Sequence, residues 1–399
     1  MECTSTRLPY HQTGYFTRIV LDYLDQSSPL RAFYEHEVTV KGIEAAIERR
    51  KAFPTDRTLL HSELMKQYEI LQTSDAVKIN IQRLTDNNTF TICTAHQPNI
   101  FTGNLYFIYK IVHAIRLAND LAKKMPHYHF VPVFYMGSED ADLDELGHIH
   151  LNGEKLVWDT RQTGAVGRMN TKGLEKIIQQ VEGQLGIYPF GKELIALLKE
   201  CYLDCPDIQT ATFKLVNALF ADYGLVVLIP DSANLKRVMR KVFEDDLVEQ
   251  IPSSVVQQSV DAMDKAGFKV QAQPREINLF YLKDNLRERI VQNASGYKVN
   301  GPKDSNGSGQ ISFSSDEIQQ ALQNEPEAFS PNVILRGLFQ ETILPDVAFI
   351  GGGGELAYWL ELKGLFDHYK VPFPVLVLRN SFLIVEKKWK DKMDSLQLS

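Results

Sequence analysis

Hydrophobic residues follow two different patterns along this chain of 399 residues. In the N-terminal part they recur at the three- and four-residue spacing of amphipathic helices. The helices predicted there cover about 28–51, 58–72 and 76–84. Beyond residue 88 the pattern changes to short runs of β-branched and apolar residues, several of them followed by a turn and a helical pattern.

The short apolar runs predict strands that are buried on both faces. They cover 89–94, 130–135, 225–229, 347–350 and 375–378. The helices predicted after the first, third and fourth strands cover about 102–124, 233–250 and 355–369. Strands that alternate with helices form parallel sheets with right-handed crossovers. The sequence therefore predicts an α/β fold with a Rossmann-like, doubly wound parallel sheet behind N-terminal helices.

Two stretches interrupt this alternation, and we interpret both as connecting segments inserted into the core. The first, 151–215, has polar strands followed by helices, and the second, 251–330, has short strands and a polar loop at 300–309. The N-terminal helices and the core are assigned to 1–150, 216–250 and 331–382. The last residues, 383–399, are typical of the start of a charged helix.

Composition and charge narrow the class of protein. The chain is 44% hydrophobic and 23% charged, as folded globular proteins are, and it is longer than the roughly 250–300 residues of a single core. Its net charge of −7 argues against non-specific nucleic-acid binding. No apolar run predicts a membrane helix, and the N-terminus lacks a signal-peptide pattern. Four cysteines do not make a disulfide framework at this length, so we expect a cytoplasmic protein.

Ligands bind at the carboxyl ends of the strands in an open parallel sheet, so residues that follow predicted strands are candidates for chemistry. The segment after the first strand places an imidazole, amides and hydroxyls at a helix N-terminus, where backbone N–H groups favour anions. Its candidate residues are His96, Gln97, Asn99, Thr102, Gly103, Tyr106 and Lys110. A capped turn with a hydrogen-bonded histidine is the alternative interpretation.

Carboxylates are concentrated after the second strand. Glu139, Asp140 and Asp142 are followed by Asp144 and Glu145, and such close like charges repel each other unless a cation lies among them. They predict a site for Mg²⁺ or for the ammonium group of a substrate. The alternative is a solvated acidic loop, which suits the last two residues better than the first three.

Four consecutive glycines follow the fourth strand, and a cation follows the fifth. Glycines between a strand and a helix let a ligand approach backbone N–H groups closely, although neither a Walker loop nor a G-x-G-x-x-G motif is present. The candidate binding residues are Gly351, Gly352, Gly353, Gly354, Glu355, Tyr358, Trp359, Arg379, Asn380 and Ser381. Glu355, Tyr358 and Trp359 are expected on one face of the helix that follows the glycines. Arg379 can pair with a carboxylate or phosphate, with a surface salt bridge as the alternative.

Other kinds of catalytic site have little support in the sequence. No serine lies in a nucleophile elbow, and the histidines are scattered. His148 and His150 alternate on a short strand without a third ligand, and Cys201 and Cys205 lack a second pair. The sequence therefore predicts no metal site built from histidine or cysteine.

Short motifs distributed along the chain form a recognisable set. They are Leu8-Pro9-Tyr10, Asp22-Tyr23-Leu24, Phe33-Tyr34, the run from His96 to Tyr106, Val131-Pro132-Val133-Phe134 with Glu139-Asp140, Phe339-Gln340-Glu341-Thr342, the run from Gly351 to Trp359, and Leu378-Arg379-Asn380-Ser381. In this order they resemble the bacillithiol biosynthesis cysteine-adding enzymes. The resemblance implies a Rossmann-like core related to nucleotidyltransferases and class I synthetases, with two insertions. It also implies a C-terminal coiled coil that pairs subunits in a homodimer, and this sequence ends as that helix begins.

The implied reaction joins the carboxyl of cysteine to the amine of glucosaminyl-malate, the last step of bacillithiol biosynthesis. A free carboxylate reacts too slowly with an amine at neutral pH, so the resemblance implies activation by ATP, with Mg²⁺. His96, Thr102 and the glycine run would face the phosphates, while Arg336 or Arg379 would bind the carboxylates of malate. The residues expected to hold Mg²⁺ or the cysteine ammonium are Glu139, Asp140 and Asp142.

Two departures from the related synthetases keep other functions open. Their signature has two histidines around a glycine, whereas this chain has His96 alone, and their lysine-rich second signature is missing. A nucleotidyltransferase that adenylates a different carboxylate is one alternative. A non-catalytic pathway partner that binds nucleotide or thiol is another. Only the ligase would yield a cysteine amide, and all three functions involve small molecules as partners.

Overall fold

The computed structural model describes residues 4–301 and 309–398. The strands in these residues are β1 (Thr89–His96), β2 (His129–Met136), β3 (His148–Leu151), β4 (Glu154–Val157), β5 (Val226–Leu228), β6 (Leu279–Lys283), β7 (Leu286–Asn293), β8 (Gly296–Asn300), β9 (Gln310–Phe313), β10 (Phe329–Pro331), β11 (Asp346–Gly351) and β12 (Val375–Leu378). The α-helices are α1 (Arg18–Leu24), α2 (Val40–Lys51), α3 (Arg57–Tyr68), α4 (Asp75–Arg83), α5 (Tyr106–Lys124), α6 (Leu143–Leu146), α7 (Leu174–Leu185), α8 (Gly191–Tyr202), α9 (Ile208–Phe220), α10 (Ala233–Arg237), α11 (Arg240–Val248), α12 (Ile251–Lys265), α13 (Ser315–Asn324), α14 (Val333–Ile343), α15 (Gly353–Glu361), α16 (Lys363–Tyr369) and α17 (Lys387–Ser395).

Five parallel strands form the central sheet, in the order β12-β11-β1-β2-β5. β1 lies in the middle and pairs with β2 from Thr89↔His129 to His96↔Met136, and on its other side it pairs with β11. The chain winds outward from β1 in both directions, so the boundary between β1 and β11 is the topological switch point of a doubly wound sheet. Every residue of β11 and β12 is buried, as the apolar runs indicate. The predicted fold class is confirmed.

Several helix boundaries differ from those the sequence predicts, each for a local reason. The segment predicted as one helix over 28–51 is a 3-10 helix at Ser28–Phe33 and then α2, which begins only after the Thr39 side chain caps it. The helix predicted from residue 102 begins at Tyr106, because Phe101, Thr102 and Gly103 all have positive φ. The helices predicted over 233–250 and 355–369 are each divided into two.

The N-terminal helices cover the sheet and fix one side of its carboxyl edge. Ile43 and Ile47 of α2 belong to the same buried cluster as apolar residues of β1, β11 and β12. The Tyr23 hydroxyl on α1 donates to the carbonyl of Leu376 on β12 at 2.7 Å. Since α1 also packs against α15, the segment before it is brought to the edge where the strands end.

The two stretches outside the alternation form structures of their own. The first contains the β3–β4 hairpin and α7–α9, with a separate apolar cluster that includes Trp158 and Tyr202. The second begins with α12 and builds a five-stranded antiparallel sheet in the order β10-β6-β7-β8-β9. Most of the polar loop predicted at 300–309 lies outside the described residues.

The last part of the described chain is a charged helix, as the sequence indicates. None of the residues of α17 is buried. Among the described helices, none combines the length and the apolar character that crossing a membrane requires.

Candidate functional site

A cleft of about 1050 Å³ opens at the switch point, above the carboxyl ends of β1, β2, β11 and β12. Its floor consists of residues that follow these strands together with the first turns of α5 and α15. One wall is the segment that leads into α1, and another wall is made by the antiparallel sheet and the segment before it. The cleft therefore lies where ligands bind in doubly wound folds.

Most of the candidate residues predicted from the sequence line this cleft. They are His96, Gln97, Tyr106, Lys110, Asp140, Arg336, Gly352, Gly353, Gly354, Glu355, Tyr358, Arg379 and Ser381. The candidates that do not line it are Asn99, Thr102, Gly103, Glu139, Asp142, Gly351, Trp359 and Asn380. The glycine segment and the histidine segment, which are separated by about 250 residues in sequence, thus meet across adjacent strands β1 and β11.

The N-terminus of α15 points backbone N–H groups into the cleft from a fixed position. The Glu355 carboxylate accepts from the N–H of Gly352 at 2.8 Å and from Lys110 Nζ at 2.6 Å. Lys110 is buried and also donates to the carbonyl of Ala95 at 2.5 Å, which ties α15 to β1 and α5. The next N–H groups, on Gly353 and Gly354, belong to the first helical turn and have no intrahelical acceptor. They can bind an anion.

Gly354 supports a prediction that separates binding from folding. Its φ is not positive, and an added Cβ would meet no protein atom within 4 Å, so neither the backbone nor its neighbours require glycine. We expect Gly354→Ala to leave stability unchanged or raise it by up to ~1 kcal/mol, while lowering affinity for an anionic ligand. Thermal unfolding and ligand titration measure the two effects. Gly183→Ala in α7 is the matched control, since its Cβ also meets nothing and it lies outside the cleft.

His96 ends β1 and presents a neutral imidazole to the cleft. Its Nδ1 lies 3.0 Å from the carbonyl oxygen of Gln97, which can only accept, so Nδ1 carries the proton and Nε2 has a free lone pair. Burial, followed by the positive charge of Lys110, lowers the pKa of His96 to about 4. The ring is held against Tyr106, 5.3 Å between centroids. The His96 ring is therefore neutral at neutral pH, and the lone pair of Nε2 can accept a hydrogen bond or a proton.

Asp140 does not offer a free carboxylate to a metal or an ammonium group. Arg336 binds both of its oxygens, one through Nη1 at 2.8 Å and the other through a shorter contact from Nη2. Arg287 lies 3.5 Å away on the other side. Burial alone would raise the pKa of Asp140, but the two guanidinium groups hold it below its usual value. This pairing does not support the role predicted for Asp140 at a site for Mg²⁺ or an ammonium group; in the structure Asp140 anchors Arg336.

Glu139 is also engaged, beneath the cleft and not in it. It forms a close ion pair with Lys236, which is fully buried and also lies 3.4 Å from Asp231. Asp231 is bound by Arg168 through two contacts of 2.7 Å. This buried network, consisting of Glu139, Lys236, Asp231 and Arg168, joins β2, α10 and the segment before α7. Its charges are balanced without a ligand, so the predicted ligand-binding role of Glu139 does not fit.

The third predicted carboxylate has a local structural role. Asp142 accepts from the N–H of Glu145 at 3.1 Å and caps the short helix α6. The described residues contain no group of three or more histidine, cysteine, aspartate or glutamate side chains arranged for a metal ion. The three carboxylates proposed for Mg²⁺ therefore do not converge, because each is bound by a different protein group.

The remaining predicted residues outside the cleft stabilise its frame. Asn99 is buried beneath Gly103, whose φ of +61° and close approach to Asn99 leave no room for a Cβ. Thr102 lies in the same positive-φ turn. Trp359 does not share the face of Glu355 and Tyr358, because its ring stacks on Phe349 at 4.4 Å in the core. Two further candidates act through backbone groups: Gly351 ends β11, and the N–H of Asn380 lies 3.3 Å from His113 Nδ1.

Sequence reasoning missed the two walls of the cleft. These residues include Tyr15, Phe16, Thr17 and Val20 before and in α1, Gln271, Gln273 and Arg275 before β6, and Phe280, Arg287 and Arg289 in the antiparallel sheet. The alternation of Arg287 and Arg289 on β7, which puts both on one face, was a usable signal. With these residues, six lysine and arginine side chains line the cleft against three carboxylates. An acidic protein thus has a cationic cleft, which suits anionic ligands.

Comparison with known proteins identifies relatives over nearly the whole chain. Residues 1–380 match the family model described as "Bacillithiol biosynthesis BshC, N-terminal Rossmann-like domain". A protein of Flavobacterium johnsoniae named "Putative cysteine ligase BshC" is 43% identical over 394 residues, which cover 98% of this chain and 73% of that protein. Proteins with the same name from Flavobacterium psychrophilum and Chloroherpeton thalassium are 40% and 28% identical, over 98% and 96% of this chain and 73% and 71% of their own length.

Proposed function

The chain belongs to the bacillithiol biosynthesis BshC family, and on that premise we propose that it is a ligase that joins cysteine to glucosaminyl-malate through an amide bond. The observation that carries the proposal is the cationic cleft at the switch point, beside the N-terminus of α15. Cysteine, malate and a nucleotide all bring negative charge to such a site. The names of the relatives support the same chemistry.

Activation of the cysteine carboxylate is the first step that we propose. A carboxylate oxygen of cysteine attacks a phosphorus atom of ATP, which gives either cysteinyl adenylate with pyrophosphate or an acyl phosphate with ADP. The N–H groups of Gly353 and Gly354 and the guanidinium of Arg379 would bind the phosphates. Arg379 is oriented for this by the Tyr106 ring, 5.2 Å from its guanidinium carbon. Charge stabilisation of this kind is a large part of catalysis in phosphoryl transfer.

Formation of the amide is the second step. The amine of glucosaminyl-malate attacks the carbonyl carbon of activated cysteine, a C–N bond forms, and the C–O bond to phosphate breaks. The attacking nitrogen must lose a proton. We assign the role of proton acceptor to Nε2 of His96, whose lone pair is free in the cleft. Asp140, Glu139 and Asp142 are bound by protein groups, so they have no part in this step, and the mechanism contains no step through a metal.

The direct test of the proposal is product analysis. The purified chain, incubated with cysteine, glucosaminyl-malate, ATP and Mg²⁺, is expected to form the cysteine amide, detected by mass spectrometry. AMP as coproduct indicates the adenylate, and ADP indicates the acyl phosphate. Omitting ATP should abolish the product. An adenylated carboxylate without any cysteine amide would instead identify a nucleotidyltransferase, and the absence of both products would contradict the proposed reaction.

A further inference from the structure

Arg336 is unsuited to binding malate, although it lies in the cleft. Both of its terminal nitrogens are bound to Asp140, and the pair is only partly exposed to solvent. Breaking such a pair to bind a ligand would leave a mostly buried aspartate without the guanidinium that binds both of its oxygens, which is unfavourable. The two carboxylates of the acceptor's malate end therefore require other cations.

Two unpaired arginines lie on the wall that the antiparallel sheet contributes. Arg289 is on the same face of β7 as Arg287, directly across from Phe280 on β6. Arg275 is on the segment that leads into β6. In the part of the chain that the structure describes, neither Arg275 nor Arg289 has a carboxylate within 4.0 Å, whereas Arg287 is close to Asp140. Their charges are available to a ligand.

The segment that bears Arg275 is held in place by buried carboxylates at both ends. We refer to residues 271–278 as the strap. Glu361 at the end of α15 is fully buried and accepts from the N–H groups of Gln271 at 2.6 Å and Ala272 at 2.9 Å. Asp246 on α11, also fully buried, accepts from the N–H of Asn278 at 2.7 Å and from its side-chain amide at 3.0 Å.

This construction distinguishes the strap from an ordinary surface loop. Burying two carboxylates is unfavourable unless the hydrogen bonds they accept are well formed. Here those bonds fix the backbone of an irregular segment on either side of Arg275. Glu361 also connects the strap to α15, the helix whose first turn lines the cleft. The strap is thereby tied to the helix that begins at the glycine segment.

We propose that Arg275 and Arg289 form a dicarboxylate subsite that recognises the malate end of the acceptor. The subsite deepens the proposed function and rests on it. It places the malate carboxylates on the inserted segment and leaves the glycine segment and Arg379 to the nucleotide. Glu361 is a positioning residue for this subsite, since it holds the strap without touching the ligand.

Binding of malate alone tests the subsite independently of catalysis. Calorimetric titration of the full chain should show preferential binding of malate over lactate, which has one carboxylate. Arg275→Gln and Arg289→Gln should each lower the affinity for malate about ten- to a hundredfold and reduce that preference, because each removes a hydrogen bond between charged groups. The matched control is Lys298→Gln, a cation on the same face of the sheet but outside the cleft, which should change the affinity less than twofold.

A further variant tests the role assigned to the strap. Glu361→Gln keeps the side-chain shape but replaces one acceptor oxygen by an NH₂ group that faces a backbone N–H. We expect weaker malate binding with unchanged affinity for cysteine, which a general loss of structure would not produce.

The outcomes for the subsite and for the ligase are separable. If malate binding depends on Arg275 and Arg289 but no cysteine amide forms, the subsite stands and the proposed reaction fails. If the amide forms and both arginine variants bind malate and glucosaminyl-malate as the unmodified chain does, the subsite is wrong. Failure of the unmodified chain to bind either molecule would also overturn the subsite.

Discussion

Replacing His96 with asparagine is expected to lower kcat for amide formation by about 10²–10⁴-fold, the usual contribution of a general base. The asparagine amide nitrogen can replace Nδ1 as donor to the carbonyl of Gln97, so the turn after β1 keeps its hydrogen bond. The lone pair of Nε2 is lost, and an amide cannot accept the proton of the amine. Steady-state kinetics with glucosaminyl-malate as the varied substrate measures the effect.

The proposed role of His96 as proton acceptor also predicts how the reaction depends on pH. Because burial and Lys110 lower the pKa of His96 to about 4, its lone pair persists well below neutral pH. The His96-dependent part of kcat/KM should therefore be lost only as the pH falls through about 4 in the free enzyme. His61→Asn, at a half-buried histidine of α3 outside the cleft, is the control. If kcat of His96→Asn stays within about threefold of that of the unmodified chain, His96 does not accept the proton, because losing a general base has a much larger effect.

Replacing Lys236 with methionine is expected to lower the free energy of unfolding by about 3–5 kcal/mol. Lys236 has no exposed surface, and its Nζ contacts Glu139 and Asp231 and donates to the carbonyl of Glu327 at 3.0 Å. Methionine fills the volume of the aliphatic part of the lysine side chain. It leaves the carboxylates of Glu139 and Asp231 with Arg168 as the one remaining cation of the network. Urea denaturation followed by tryptophan fluorescence measures the loss.

Two further variants identify the cause of that loss. Lys78→Met removes a lysine from an exposed pair with Asp75 in α4 and should cost at most about 1 kcal/mol. Adding Glu139→Gln to Lys236→Met should recover part of the lost free energy of unfolding, because it removes the carboxylate charge that Lys236 no longer neutralises. Burial already raises the pKa of Glu139 above its usual value even with Lys236 present. A loss below about 1 kcal/mol for Lys236→Met would show that the network is not a buried charge cluster.

The elements of the core were predictable because their patterns are local. All five runs of β-branched and apolar residues are strands, and 375–378 has the same bounds in the structure. The starts of helices were less predictable where an irregular turn precedes the helix. The turn at Phe101 and Thr102 has positive φ in two non-glycine residues, a conformation that the hydrophobic spacing of the following helix does not reveal.

The location of the candidate site was predictable where its residues directly follow strands of the central sheet. His96, the glycines at the start of α15 and Arg379 follow strands of a parallel sheet, and the carboxyl edge brings them together. The charge pairing of the acidic segment was not predictable, for a physical reason: the sequence shows five carboxylates close together, but not the cations that pair with Glu139 and Asp140. Lys236 and Arg336 are about 100 and 200 residues away from these carboxylates and reach them only in the folded chain.

The sequence by itself determined the order and type of the core elements, the segments that follow the strands, and the family, since each is encoded in short runs of residues. Only the tertiary structure decided which charges are free. Asp140 and Glu139 are bound by arginine and lysine from distant segments, whereas Arg275 and Arg289 are left facing the cleft. Pairing of charges depends on distances of a few ångströms between residues far apart in sequence, and folding alone sets those distances.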